Sequence, residues 1–109
     1  MFFAHYTVSF HKTFSDLPSH VDLFLSWDLD GQLIQYTVSI EELKKARAEN
    51  RSPICQLGTP HRRKYLEYQG PLSSGRGRVR ILRRGKCKIP EKMFDDPPVS
   101  VKLKSFLKD

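Results

Sequence analysis

The sequence has no long hydrophobic run, and its uninterrupted apolar stretches are only a few residues long. This excludes a transmembrane helix, which needs about 20 consecutive apolar residues. The first residues, Met1 to Tyr6, also lack the basic and apolar segments of a secretory signal peptide. We therefore expect a cytoplasmic protein that makes no contact with a membrane.

Cysteine is scarce as well. The chain has two cysteines, Cys55 and Cys87, and their separation excludes the Cys-x-x-Cys spacing of a zinc ribbon. The two could pair with each other, but a chain of 109 residues can form a hydrophobic core without a disulfide. We expect both thiols to be reduced, as is usual in the cytoplasm.

The remaining composition is that of an ordinary globular chain. Of the 109 residues, 39% are hydrophobic and 28% are charged, which argues against disorder. This length is typical of one domain, so we expect residues 1–109 to form a single folded unit.

Positive charge is concentrated in one third of the chain. The net charge is +7, yet residues 61–92 hold eleven basic and two acidic residues, a balance of +9, and the rest of the chain balances at −2. Such a segment favours binding to a polyanion, most often nucleic acid, through neutralisation of phosphates. A solvated basic surface is the alternative interpretation.

Short strands separated by turns dominate the pattern. We expect strands over residues 3–11, 21–27, 32–38, 54–57, 64–69, 77–84, 86–89 and 99–103. Residues 21–38 form a hairpin, and Gly85 is expected at a turn. Ser39 and Glu42 have the spacing of a capping box and begin a helix over residues 41–49. These elements predict a mostly β fold, a small antiparallel β-barrel with one short helix.

A histidine and an aspartate in the second strand are the first candidates for a site. His20 and Asp22 are two positions apart, so in a strand both side chains leave the same face and can bind a divalent cation if a third ligand is near. His11 ends the preceding strand and can supply that ligand; His5 has the same parity and is the alternative. Asp22 could instead bond to a nearby backbone group or lysine.

Basic residues near these candidates suit phosphate chemistry. The glycine-rich loop 70–77 has no Lys-Ser/Thr and leads into no helix, so it is not a nucleotide-binding P-loop. Arg76, Arg78 and Arg80 are better candidates for phosphate contacts. A metal beside cationic side chains is the arrangement that phosphoester chemistry uses, because both stabilise developing negative charge.

Several of these motifs occur in the order found in a known family. His20-Val21-Asp22-Leu23-Phe24-Leu25 resembles the His-Tyr-Asp-Phe-Arg-Leu motif of the 3′-phosphoesterase domain of bacterial DNA ligase D. The later segments His61-Arg62-Arg63-Lys64-Tyr65 and Tyr68-Gln69-Gly70 match a second motif of this family in spacing. The resemblance covers residues 6–87.

The resemblance implies a compact β-barrel that uses Mn²⁺ to trim 3′ ends of DNA or RNA, removing a terminal ribonucleoside and then the 3′-phosphate. It implies His20, Asp22 and, given a three-residue insertion before His20, His11 as metal ligands. His61 and Tyr65 match the family's catalytic histidine and tyrosine. The phosphate-binding cations are then expected among Arg51, Arg62, Arg76, Arg78 and Arg80. A DNA ligase or polymerase is an expected partner.

The chain also departs from the family. Phe24 stands where the family has an arginine, Ser26 where it has an acid, and Ile40 where it has a lysine. A phosphate clamp that lacks two cations favours the alternative of a nucleic-acid-binding module without catalysis. A module for protein–protein contact explains the fold but not the basic segment, and its binding would be insensitive to salt.

Overall fold

The computed structural model describes residues 2–13, 18–26, 33–60, 63–72, 76–90 and 92–107. The strands are β1 (Phe2–Lys12), β2 (His20–Ser26), β3 (Ile34–Ser39), β4 (Ile54–Leu57), β5 (Gly70–Pro71), β6 (Arg78–Ile89) and β7 (Ser100–Lys102). The α-helices are α1 (Ile40–Ala48) and the single turn α2 (Lys92–Asp95), and 3-10 turns span Arg63–Leu66 and Leu103–Ser105. No helix in these ranges is long and apolar enough to span a membrane.

All the strands belong to one antiparallel sheet in the order β5-β6-β1-β2-β3-β4-β7. This confirms the predicted mostly β fold. Within the described residues the edge strands β5 and β7 do not pair with each other, so the sheet is open and "barrel" describes it only loosely. The edge strands are two and three residues long, too short to close a barrel.

The two faces of the sheet bury different side chains. Strand β2 shows the alternation clearly, because Val21, Leu23 and Leu25 enter the main core and Phe24 enters a small second cluster. Tyr36 and Ile89 complete the centre of the main core, each 0% exposed. Cys55 and Cys87 lie in this core as free thiols. The face that carries Phe24 also carries the polar residues of β1 and β2.

Helix α1 begins as the capping box predicts. The Ser39 Oγ accepts a hydrogen bond of 3.0 Å from the Glu42 backbone N–H. The Glu42 carboxylate binds the Arg51 guanidinium at 2.6 and 3.0 Å and accepts from the Ile54 backbone N–H at 2.9 Å. These bonds connect the start of the helix to the start of β4. They also lower the pKa of Glu42 to about 2, and the hydrogen bonds from Arg51 are the largest cause.

Two predictions about local structure were wrong. Residues 64–69 form no strand; a 3-10 turn occupies 63–66, and the alternating aromatics pack on one another instead. Gly85 is not a turn, because β6 continues through it and pairs it with Tyr6. A Cβ atom on Gly85 would lie 2.9 Å from the Tyr6 ring, so the glycine makes room for this side chain. Strand β6 absorbs one extra residue, Leu82, in a bulge opposite Val8 and Ser9.

Candidate metal centre

The pairing of β1 with β2 brings the predicted ligands together. His11 lies directly opposite His20, and Ser9 lies opposite Asp22. Partners across an antiparallel pair share a face, so all four side chains leave the same face of the sheet. The centre therefore depends on the register of the first two strands.

Three side-chain atoms converge at this point. His11 Nδ1 lies 3.3 Å from His20 Nε2, and His20 Nε2 lies 3.3 Å from Asp22 Oδ2. One ligand atom from each residue lies within 4.8 Å of the other two. Bonds of about 2.1 Å to a shared ion place neighbouring ligand atoms about 3.0–3.4 Å apart. The cluster can hold a divalent metal ion by two imidazoles and one carboxylate.

Neighbouring groups fix the orientation of two ligands. His20 Nδ1 lies 3.3 Å from the Pro18 carbonyl oxygen, to which it can donate, and this tautomer leaves the Nε2 lone pair for a metal. The Gln35 Nε2 donates to Asp22 Oδ1 at 2.9 Å, so Asp22 Oδ2 points to the histidines. Gln35 and Asp22 are both buried, at 8% and 6% exposure, which keeps water from competing for this bond.

Buried side-chain atoms without a hydrogen-bond partner also lie at the candidate centre. Among the described residues, two buried side-chain atoms make no hydrogen bond of normal geometry, and these are Ser9 Oγ and His11 Nε2. Both belong to residues of the centre. Buried polar atoms are almost always satisfied, and the usual partners when no protein group serves are an ion or ordered water. The Ser9 hydroxyl, on the same face as the three ligands, is therefore open to a water molecule, whereas His11 Nε2 is the ring nitrogen that does not face His20.

The two histidines titrate differently. The hydrogen bond with Asp22 is the main cause that raises the pKa of His20. Burial lowers the pKa of His11, the charge on His20 lowers it further, and the Arg76 backbone carbonyl acts in the opposite direction. His20 thus holds a proton beside Asp22 more readily than His11 does, and a metal that binds Nε2 must displace this proton.

An aromatic and basic pocket adjoins the centre on the same face. The Tyr65 ring stacks on Phe24, with centroids 6.1 Å apart and planes at 21°, and meets Tyr68 edge-on, also at 6.1 Å. Lys64 Nζ lies 5.2 and 5.7 Å from the centroids of these two tyrosine rings. Arg76 completes the rim of the cavity, which measures about 360 Å³. Because the Arg76 backbone reaches His11, the pocket and the centre share a border.

Other predicted site residues lie elsewhere. Arg51 is engaged by Glu42 and Glu49 at the end of α1. Arg78 pairs with Lys12 and Arg80 with Phe10, whereas Val79 pairs with His11, so both arginines leave the face opposite the centre. His61 and Arg62 lie outside the described residues.

His5, the alternative ligand, is also remote. It lies six residues before His11 on the same strand, which is about 20 Å at 3.3 Å per residue. His11 is the histidine that meets His20.

Sequence reasoning missed two further residues of the site, which are Gln35, the donor to Asp22, and Ser9, whose buried hydroxyl makes no hydrogen bond of normal geometry. Gln35 is polar within a hydrophobic strand and shares the parity of Thr37, the partner of Asp22. That parity is a usable signal, but it requires the register of the β2–β3 hairpin. Lys64 and Tyr68 were missed as a pocket because the segment that carries them was interpreted as a strand.

Comparison with known protein families, with curated proteins and with solved structures finds no significant match for this chain.

Proposed function

We propose that this protein is a divalent-metal-dependent phosphoesterase that processes 3′ ends of DNA or RNA. The observation that carries the proposal is the convergence of His11, His20 and Asp22 beside a pocket that presents Lys64 and Arg76. Ligands for a divalent cation next to basic side chains suit an oxyanion substrate such as a phosphate ester. The resemblance to the ligase D phosphoesterase domain adds the 3′ end as substrate and Mn²⁺ as the metal.

Each part of the site has a role in this proposal. A bound metal ion supplies Lewis-acid polarisation of a phosphoryl oxygen. His11, His20 and Asp22 hold the ion, and Gln35 keeps the Asp22 carboxylate turned toward it. Lys64 and Arg76 neutralise phosphate charge at the pocket rim. By resemblance, Tyr65 and His61 contact the reacting phosphate, and a ligase or polymerase in the cytoplasm would use the trimmed end.

A nucleic-acid-binding module without catalysis is the second candidate, and Phe24 favours it. The side chain at this position is 2% exposed and packs with Leu33 and Leu66, so it offers a substrate no charge. Loss of one such charged group commonly costs a factor of about 10²–10³ in rate. The pocket cations belong to both candidates, so only turnover separates them.

The test is an end-trimming assay with matched variants. A 5′-labelled primer–template that ends in one ribonucleotide, or in a 3′-phosphate, is incubated with Mn²⁺ and the wild type, His20→Ala, Asp22→Asn, His61→Ala or the control His5→Ala. We expect trimming by the wild type and His5→Ala, and none by the other three. His61→Ala should still bind Mn²⁺, which separates a catalytic role from ligation.

Retained, salt-sensitive binding without trimming by the wild type would support the binding module instead. Absence of both trimming and binding would contradict both candidates.

A further inference from the structure

A second cavity lies on the face of the sheet opposite the metal centre, between helix α1 and strand β6. It measures about 860 Å³, within the range of small-molecule sites, which is about 300–1,000 Å³. Its apolar lining comes from Phe10, Val21, Ile40, Leu43, Val79 and Leu82. We name it the helix-side groove.

The floor of this groove is an uncovered part of the main core. Phe10 and Leu43 pack against the core cluster but remain only partly buried. Leu82, the extra residue of the β6 bulge, is 47% exposed. Five of the six apolar residues are aliphatic, so the floor fits a flexible hydrocarbon chain better than a planar base, which stacks on aromatic side chains.

Three cations stand at the rim of the groove. Lys12 lies directly opposite Arg78 on the neighbouring strand, and Arg80 follows two residues later on the same face. Like charges placed opposite each other destabilise a sheet. Within the part of the chain that the structure describes, none of the three forms an ion pair and no acidic residue lines the groove. A bound anion would relieve this repulsion.

We propose that the helix-side groove binds a single-chain amphiphile with an anionic head group, such as a free fatty-acid carboxylate. The hydrocarbon chain lies on the apolar floor, and Lys12, Arg78 and Arg80 bind the head group by charge-assisted hydrogen bonds. The phosphates of a nucleic-acid strand could bind the three cations at the rim, but the strand would leave the aliphatic floor unfilled. This groove is separate from the metal centre, so the binding proposed here does not depend on phosphoesterase activity.

Calorimetric titration of the full chain with decanoate, below its micelle concentration at neutral pH, tests this proposal. Decanol and decyltrimethylammonium have the same chain with a neutral and a cationic head group. Arg78→Gln/Arg80→Gln removes two rim charges, and the control Lys102→Gln/Lys104→Gln removes two exposed charges outside the groove. Leu82→Gln tests the floor at a half-exposed position where the fold tolerates a polar side chain.

We expect saturable binding of decanoate that weakens by about tenfold or more in Arg78→Gln/Arg80→Gln, because hydrogen bonds between ionised partners are stronger than neutral ones. Leu82→Gln should also weaken binding, and the control pair and His20→Ala should not. Equal binding of decanol, equal loss in the control pair, or no binding of decanoate would overturn the proposal. Binding of decyltrimethylammonium as tight as that of decanoate would overturn it as well.

Discussion

At the scale of single residues, the candidate metal centre combines three ligands with a side chain that orients one of them. His20 and Asp22 were predictable from a two-residue spacing, because strand alternation needs no knowledge of the partner strands. His11 required only the assumption of a simple β1–β2 pair. Gln35 and Ser9 were not predictable in the same way, because their proximity depends on register across two strand pairs.

The hydrogen bond from Gln35 to Asp22 makes the first prediction. Gln35→Ala removes the group that turns the carboxylate toward the histidines, and loss of such a supporting partner typically lowers metal affinity about 10–100-fold. Titration calorimetry with Mn²⁺ measures this change. The matched control is Gln56→Ala, which changes an exposed glutamine on β4. Equal Mn²⁺ affinity in the two variants would show that Gln35 does not support the ligands.

Gly58 makes the second prediction, because it leaves room for the Gln35 amide. A Cβ atom at this position would clash with Gln35 Oε1, the end of a flexible side chain that can move away. Gly58→Ala should therefore weaken Mn²⁺ binding in the same direction as Gln35→Ala, with a small change in melting temperature. The two losses should be non-additive in the double variant, since both act through one hydrogen bond. Additive losses would show that the residues act separately.

At the scale of secondary structure, the elements that local patterns define were predicted well. The β2–β3 hairpin and the Ser39 cap of α1 follow from alternation and from one side-chain hydrogen bond. The errors at residues 64–69 and at Gly85 have a tertiary cause. Tyr65 stacks on Phe24, and the Tyr6 ring leaves no space for a Cβ atom on Gly85. Neither contact can be inferred from a short window of sequence.

The ion pair of Glu42 with Arg51 predicts a pH-dependent contribution to stability. The pKa of Glu42 is lowered to about 2 from an ordinary value of 4.5, so its contribution is fully present above about pH 4.5 and is lost as the pH falls toward 2. Glu42→Gln should lower the melting temperature at neutral pH, and the difference from wild type should shrink across this interval. The neighbouring Glu41→Gln is the control. A difference that persists unchanged at pH 2 would contradict the assignment.

Gly85 supplies a prediction for the centre of the β1–β6 pair. Gly85→Ala places a methyl group 2.9 Å from the Tyr6 ring, and overpacking of this kind typically costs about 1–3 kcal/mol. Chemical denaturation measures the change, and Lys86→Ala on the adjacent exposed position is the control. A stabilised Gly85→Ala variant would mean that Tyr6 moves without cost.

At the scale of the whole molecule, the sheet separates two groups of cations that the sequence presents as one basic segment. Lys64 and Arg76 border the metal centre, and Arg78 and Arg80 rim the helix-side groove on the other face. The charge count over residues 61–92 shows the excess of positive charge. It cannot assign each cation to one face of the sheet, because this assignment depends on strand alternation and on the pairing of β6 with β1. The open sheet was likewise beyond local patterns, since closure depends on the lengths of the edge strands.

Direct Mn²⁺ binding tests the proposal that His11, His20 and Asp22 form a metal site. Electron paramagnetic resonance records the free ion as the protein is titrated with Mn²⁺. We expect the wild type and His5→Ala to bind one equivalent, and His11→Ala, His20→Ala and Asp22→Asn to bind none in the same range while remaining folded by circular dichroism. Equal Mn²⁺ binding by all five proteins, or no binding by the wild type, would show that these three residues do not form a metal site.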